Sequence, residues 1–217
     1  MNTENILFLH GFLSSARSTK ANYLAERFRT MAGVAFHALD FNPTPADLRY
    51  MTTTGQIDRL RQYVLDRHLA RISIIGSSYG GLIALQYAHR FGGVKRMLLL
   101  APGLRWLSGG LSEPQLADWK EAGAMPVLHP AFDKEIPVRY DMQVDGLCYL
   151  AFVPPACPLT IIHGDRDTTV PITDSRAYAV EHPDQVQLVE VDATHDLNGH
   201  LDLVWAQVLS FLLGRET

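Results

Sequence analysis

Apolar positions along the chain follow two alternating rhythms. Short, predominantly apolar runs occur at residues 6–9, 34–39, 72–75, 97–101, 159–163 and 186–191. Between them lie longer stretches in which apolar side chains recur every three or four positions. Leu24, Phe28 and Met31 share one face of a helix predicted over 21–31. Ile57, Leu60, Val64 and Leu65 mark another that ends near Leu69. Further helices are predicted over 79–90, 174–181 and 201–213. The strand runs are continuous instead of alternating, which is the pattern of strands covered on both faces. Strand and helix alternating along the chain predicts an α/β fold with a mostly parallel central sheet flanked by helices.

Residues 104–158 break the rhythm. They hold no convincing strand and six prolines, with Pro158 closing the stretch as a seventh. A structureless loop of that length is unusual in a compact domain. The reading is therefore a small, partly helical insertion lying over the C-terminal edge of the sheet, within a single domain spanning 1–217. Its aromatic and apolar side chains either pack it onto the body or line a pocket. Trp106, Trp119, Met125 and Phe152 are the candidates for the second role.

Residues 76–80 read Gly-Ser-Ser-Tyr-Gly, placed between the run at 72–75 and a helical stretch. Strand, sharp turn and helix is the setting in which G-x-S-x-G lifts one serine hydroxyl out of a sheet edge. Gly76 and Gly80 supply the small residues that such a turn demands. A serine hydroxyl is a poor nucleophile without a base, and the base needs a carboxylate to hold it. Both partners follow in the order Ser, Asp, His known for this motif. Asp167 lies in His-Gly-Asp-Arg-Asp-Thr-Thr-Val-Pro after the run at 159–163, and His195 follows the run at 186–191. All three side chains then leave the same edge of the sheet. Asp165 competes with Asp167; the latter is preferred because the loop reaches furthest from the strand there. Oxyanion donors are expected from the amide of Tyr79 and from the loop at His10-Gly11-Phe12, through the Phe12 amide. His10 is read as a brace for that loop, and the remaining histidines as surface or satisfied core residues.

Length, charge and cysteine usage narrow the classes. With 217 residues, 47% hydrophobic and 19% charged, the chain has the composition of a globular domain with a sizeable core. A net charge of −4 without like-charge runs gives no reason to expect nucleic acid or an anionic membrane as partner. No stretch reaches the roughly 18 apolar residues of a membrane span. The N-terminus lacks the basic residues and long apolar core of a signal peptide, and Cys148 and Cys157 form no C-x-x-C, so a cytoplasmic location is expected. No metal-ligand spacing or phosphate loop is found, so neither metal nor cofactor is expected. Oligomeric state is left open.

Four segments together carry a resemblance: Leu9-His10-Gly11-Phe12, Gly76-Ser77-Ser78-Tyr79-Gly80-Gly81, the stretch from His163 to Pro171, and Thr194-His195. In this order they resemble the α/β-hydrolase superfamily over nearly the whole chain except the insertion. The opening Leu-His-Gly-Phe-Leu-Ser-Ser-Ala-Arg-Ser-Thr-Lys resembles the small YqiA-like bacterial esterases. The insertion is longer than in that group. The resemblance implies hydrolysis of a small-molecule ester or thioester by a Ser78–Asp167–His195 triad without a cofactor. Two other readings stay open: C–C bond cleavage or lyase chemistry on the same triad, and a hydrolase-fold receptor for a small molecule. Arginine near the rim, at Arg17 and Arg105, would favour an anionic substrate.

Overall fold

The computed structural model describes residues 3–105 and 111–215. Its strands are β1 (Glu4–Leu9), β2 (Val34–Leu39), β3 (Ile72–Ser77), β4 (Val94–Leu100), β5 (Ala124–His129), β6 (Lys134–Arg139), β7 (Leu159–Gly164) and β8 (Val186–Val191). Its helices are α1 (Thr19–Phe28), α2 (Pro45–Arg49), α3 (Thr53–Asp66), α4 (Tyr79–Phe91), α5 (Glu113–Ala122), α6 (Asp141–Gly146), α7 (Ile172–Glu181) and α8 (Leu201–Gln207). A wider π turn, Val208–Leu212, continues α8. Six strands form a parallel sheet in the order β2-β1-β3-β4-β7-β8.

The continuous apolar runs are explained by the two faces of this sheet. In β1, Leu7 and Leu9 face one buried cluster while Ile6 and Phe8 face the other. Met97 and Leu99 of β4 alternate with Leu98 and Leu100 in the same way. The first cluster includes Ile57 and Leu60 of α3, Ile83 and Leu85 of α4, and Tyr178 of α7. The second includes Leu24 and Phe28 of α1 with Val204 of α8. Period-2 side-chain alternation with apolar demand on both faces gives an uninterrupted apolar word in the sequence.

Helix starts differ from the apolar spacing because polar caps set them. α3 begins four residues before Ile57, where the Thr52 hydroxyl accepts the Gly55 N–H at 3.0 Å. The short α2 has no apolar periodicity to announce it. It rests on a capping box in which Thr44 and Asp47 satisfy each other's backbone.

The stretch between β4 and β7 corrects the expectation that it lacks strands. β5 and β6 pair as an antiparallel hairpin, with Pro126 opposite Pro137. Proline removes a ladder donor, so these segments read as non-strand in sequence. A two-stranded ribbon has two outer edges that need no donors, and it tolerates both prolines. Trp119 of α5 is nearly buried and donates its indole N–H to the Val138 carbonyl at 2.9 Å. Its ring meets Tyr140 edge-on at 5.4 Å. The indole therefore ties α5 to the hairpin.

Parallel strands send all their C-terminal loops to one edge. The chain runs from β1 outward to β2 and then returns to β3 on the other side of β1, so β1 and β3 form a topological switch point. The start of α4 presses on the end of β1 there. A Cβ on Gly80 would lie 2.2 Å from the Leu9 carbonyl oxygen, a backbone atom that cannot swing away. Gly80→Ala should therefore destabilise by at least about 1–3 kcal/mol despite alanine's better helix propensity. Gly199→Ala, where an added Cβ meets nothing within 4 Å, should shift the melting temperature little. Equal melting temperatures for the two variants would refute this packing.

Candidate active site

Ser78 follows β3 and has φ 53° and ψ −118°, a backbone conformation costly for a residue with a Cβ. Hydrogen bonds hold it there. Its N–H donates to the Leu100 carbonyl at 2.8 Å, and its own carbonyl accepts from Gly81 at 2.9 Å and Gly103 at 3.1 Å. Gly76 allows the turn to close, since a Cβ on it would sit 2.7 Å from the Gly80 carbonyl oxygen.

The Ser78 Oγ lies 3.0 Å from His195 Nε2, and His195 Nδ1 lies 2.7 Å from Asp167 Oδ2. A carboxylate only accepts here, so Nδ1 carries the ring proton and Nε2 is left to accept from the Ser78 hydroxyl. His195 is partly open to solvent while the Asp167 side chain is fully covered. Asp167 and not Asp165 faces His195; Asp165 is exposed at the start of the same loop.

The second Asp167 oxygen, Oδ1, accepts the N–H groups of Thr169 at 2.9 Å and Val170 at 2.8 Å. His163 adds a contact that sequence reading missed. It is fully buried, with Nε2 3.0 Å from the Val170 carbonyl and 3.2 Å from Asp167 Oδ2. Both neighbours are acceptors, so Nε2 carries the proton, and Nδ1 accepts from the buried Ser175 hydroxyl at 2.8 Å. The only sequence signal for His163 was its position four residues before the carboxylate. Burial by itself raises the Asp167 pKa. Hydrogen bonds from His163, His195 and Val170 outweigh burial and hold the carboxyl well below the usual range.

The loop after β1 lies against the nucleophile. A Cβ on Gly11 would be 3.1 Å from the Ser78 Cβ and 3.7 Å from its Oγ. His10 is buried behind this loop. Its Nδ1 donates to the Gly11 carbonyl at 2.8 Å, and its Nε2 accepts the Phe41 N–H at 3.0 Å. Phe12 follows Gly11 on this loop. Tyr79 is the first residue of α4, where backbone N–H groups stand outside the helix's own ladder.

The pocket candidates disperse. Trp119 is taken up in the α5–hairpin packing, and Met125 is partly buried on β5. The Phe152 ring lies tilted beside that of Tyr178, centroids 6.0 Å apart, and carries the Arg105 guanidinium 4.3 Å above its own centre. Trp106 lies outside the described residues. Of the two rim arginines, Arg105 pairs with Asp174 at 3.3 Å and Arg17 is exposed. Among the described residues no group of three or more His, Cys, Asp or Glu side chains could hold a metal ion, and no helix is long and apolar enough to cross a membrane.

Over residues 5–212 the chain matches the family described as "Uncharacterised protein family (UPF0227)", the YqiA-like family, and it belongs to that family. It is 31% identical over 134 residues to the "Probable lysophospholipase BODYGUARD 3" of Arabidopsis thaliana. That match takes in 58% of this chain and 27% of the plant protein, so the chain aligns with about a quarter of its relative's length. Among solved structures it is similar to Est1E from Butyrivibrio proteoclasticus with ferulic acid bound, with a TM-score of 0.83 at 19% identity over 99% of this chain and 90% of the other. Mouse "Alpha/beta hydrolase domain-containing protein 10" gives a TM-score of 0.80 at 19% identity, over 98% and 91% of the two chains. The fold is that of the α/β hydrolases.

The depressed Asp167 carboxyl has a consequence for folding. Its folded-state pKa is lowered, so the stability it contributes is complete above the unfolded Asp value of about 3.9 and is lost as pH falls below that toward the lowered value. Asp167→Asn should flatten that part of the acid limb when melting temperature is followed from pH 6 to pH 2.5. An unchanged acid limb would show that Asp167 is not held as described.

Proposed function

We propose that this member of the UPF0227 family is a serine hydrolase that cleaves carboxylic esters or thioesters through an acyl-enzyme on Ser78. The observation that carries the reading is the relay of 3.0 Å and 2.7 Å contacts from Ser78 through His195 to Asp167. The printed name of the plant relative, "Probable lysophospholipase BODYGUARD 3", supports an ester as substrate.

In this reading Ser78 Oγ attacks the substrate carbonyl as His195 Nε2 takes its proton. Asp167 holds the imidazole in the required tautomer and stabilises the imidazolium that forms. The amides of Phe12 and Tyr79 hold the negative oxygen of the tetrahedral intermediate. The C–O or C–S bond then breaks, and His195 returns the proton to the departing alcohol or thiol. Water, deprotonated by His195, releases the acid and restores the serine. No cofactor takes part. Residues 104–158 act as a cap over this site within one hydrolase domain spanning 1–217; Met125, Phe152 and Trp106 are its candidates for shaping the acyl pocket, while Trp119 holds α5 on the hairpin.

Ser78→Ala should lower turnover of a short p-nitrophenyl ester by about 10⁴-fold or more and abolish labelling by a fluorophosphonate probe. Retained turnover would exclude Ser78 as nucleophile. The two aspartates should separate sharply in the same assay. Asn at 167 favours the wrong imidazole tautomer and should cost a factor on the order of 10⁴ in kcat, whereas Asp165→Asn should be mild. The opposite ranking would assign the carboxylate to Asp165.

A further inference from the structure

A polar cavity of about 170 Å³ lies on the α1 side of the sheet, beside the nucleophile. Its wall includes His10, Gly11, Ser14, Ser18, Lys20 and Ser77. Gly11 and Ser77 flank Ser78 directly, so the cavity and the reacting serine share a wall. The space admits a carboxylate or a phosphate, and its polar lining suits such a group better than an acyl chain.

Lys20 is the unexplained group in this wall. It is half-buried and makes no hydrogen bond or ion pair among the described residues. The charge acting on it is that of Asp196, an exposed residue beyond ion-pair distance. Lys20 also sits in the first turn of α1, where a cation opposes the helix dipole. Desolvation and dipole both disfavour an ammonium here, and no ion pair among the described residues offsets them; the Asp196 charge acts only from a distance. Burial lowers the pKa of the ammonium, and Asp196 reverses only part of that. The rest of the wall is suited to an anion. The hydroxyls of Ser14 and Ser77 can turn to donate. The His10 ring is fully engaged with Gly11 and Phe41, which leaves Lys20 as the charge that meets a ligand.

We propose that this cavity receives an anionic group of the substrate, a carboxylate or a phosphate, which pairs with the Lys20 ammonium. The inference rests on Ser78 being the nucleophile and adds a substrate class: esters that carry a negative charge a few bonds from the scissile carbonyl. The cation reading this charge is Lys20, not the rim arginines Arg17 and Arg105.

The test compares two esters of equal acyl length, p-nitrophenyl pentanoate and the mono-p-nitrophenyl ester of glutaric acid, which differ by a terminal carboxylate. The wild type should prefer the anionic ester in kcat/KM by tenfold or more. The preference should collapse at least tenfold in Lys20→Met, through KM, and persist in Lys20→Arg. A wild-type preference for the neutral ester, or a ratio unchanged in Lys20→Met, would overturn the proposal. Thermal shift with glutarate and with inorganic phosphate reads the site without turnover. Stabilisation of the wild type that is lost in Lys20→Met supports the site, and the anion that produces it identifies the group. No shift with either anion counts against it. Fluorophosphonate labelling of the wild type reports separately on Ser78. A labelled protein without anion preference sinks this inference alone, while an unlabelled, inert protein that still shows the Lys20-dependent shift sinks the hydrolase reading and the substrate class with it, leaving only an anion site.

Discussion

The turn at Ser78 is the constraint around which the rest is arranged. A serine at φ 53° costs on the order of 1–3 kcal/mol, so it persists only where the surroundings over-determine it. They do so with backbone. Leu100 receives its N–H, Gly81 and Gly103 bond its carbonyl, and Gly76 and Gly80 let α4 approach β3 and β1 to distances that no Cβ would permit. The cost has a geometric return. The hydroxyl stands clear of the sheet edge, and the first residues of α4 and the loop after β1 converge on the same point. Sheet order makes this possible, because the switch between β1 and β3 is the one place where both loops open beside each other.

The second fixed point is the Asp167 carboxylate. A buried carboxylate with one partner would be a liability, since desolvation favours its neutral form. Here two backbone amides, His195 and His163 surround it, and ionisation becomes the favoured state. The arrangement also fixes tautomers in sequence. Ser175 donates to His163 Nδ1, His163 directs its Nε2 proton toward Val170 and Asp167, and Asp167 fixes the proton on His195 Nδ1. The basic nitrogen nearest Ser78 is thus set by groups up to two residues deeper in the core.

These two points explain which parts of the fold were legible in the sequence. Strands covered on both faces must be apolar throughout, so runs such as Leu7–Leu9 and Met97–Leu100 announced themselves. Ser78, Asp167 and His195 were legible because each follows such a run in a fixed chain order. The helix starts at Thr19 and Thr53 were not, since side-chain caps and not apolar spacing decide them. The hairpin of β5 and β6 was hidden by Pro126 and Pro137, which exclude a central strand but not a free-standing ribbon. His163 and Lys20 fall at the ends of motif segments, but neither the spacing nor the motif gives them a role. Their importance comes from what lies beside them, which only the folded chain brings together.

The insertion and the elbow are joined through one helix start. Asp145 of α6 accepts the Thr54 N–H at 2.8 Å and its hydroxyl at 2.5 Å, a negative charge placed at the positive end of α3. Tyr149 reaches the same hydroxyl at 2.6 Å. The preceding residue, Thr53, bonds the buried Tyr79 hydroxyl at 2.9 Å, and Tyr79 is the residue after the nucleophile. Further along, Gln86 of α4 donates to the Leu150 carbonyl at 2.7 Å, and Tyr178 of α7 donates to that of Val153 at 2.8 Å. The second half of the insertion is therefore fastened to three body helices by directed hydrogen bonds, where apolar contact alone would allow sliding. Asp145 is linked to Tyr79 through the first turn of α3, and Leu150 is linked to the same helix α4 through Gln86, so the insertion and the backbone that presents Ser78 share one hydrogen-bonded frame.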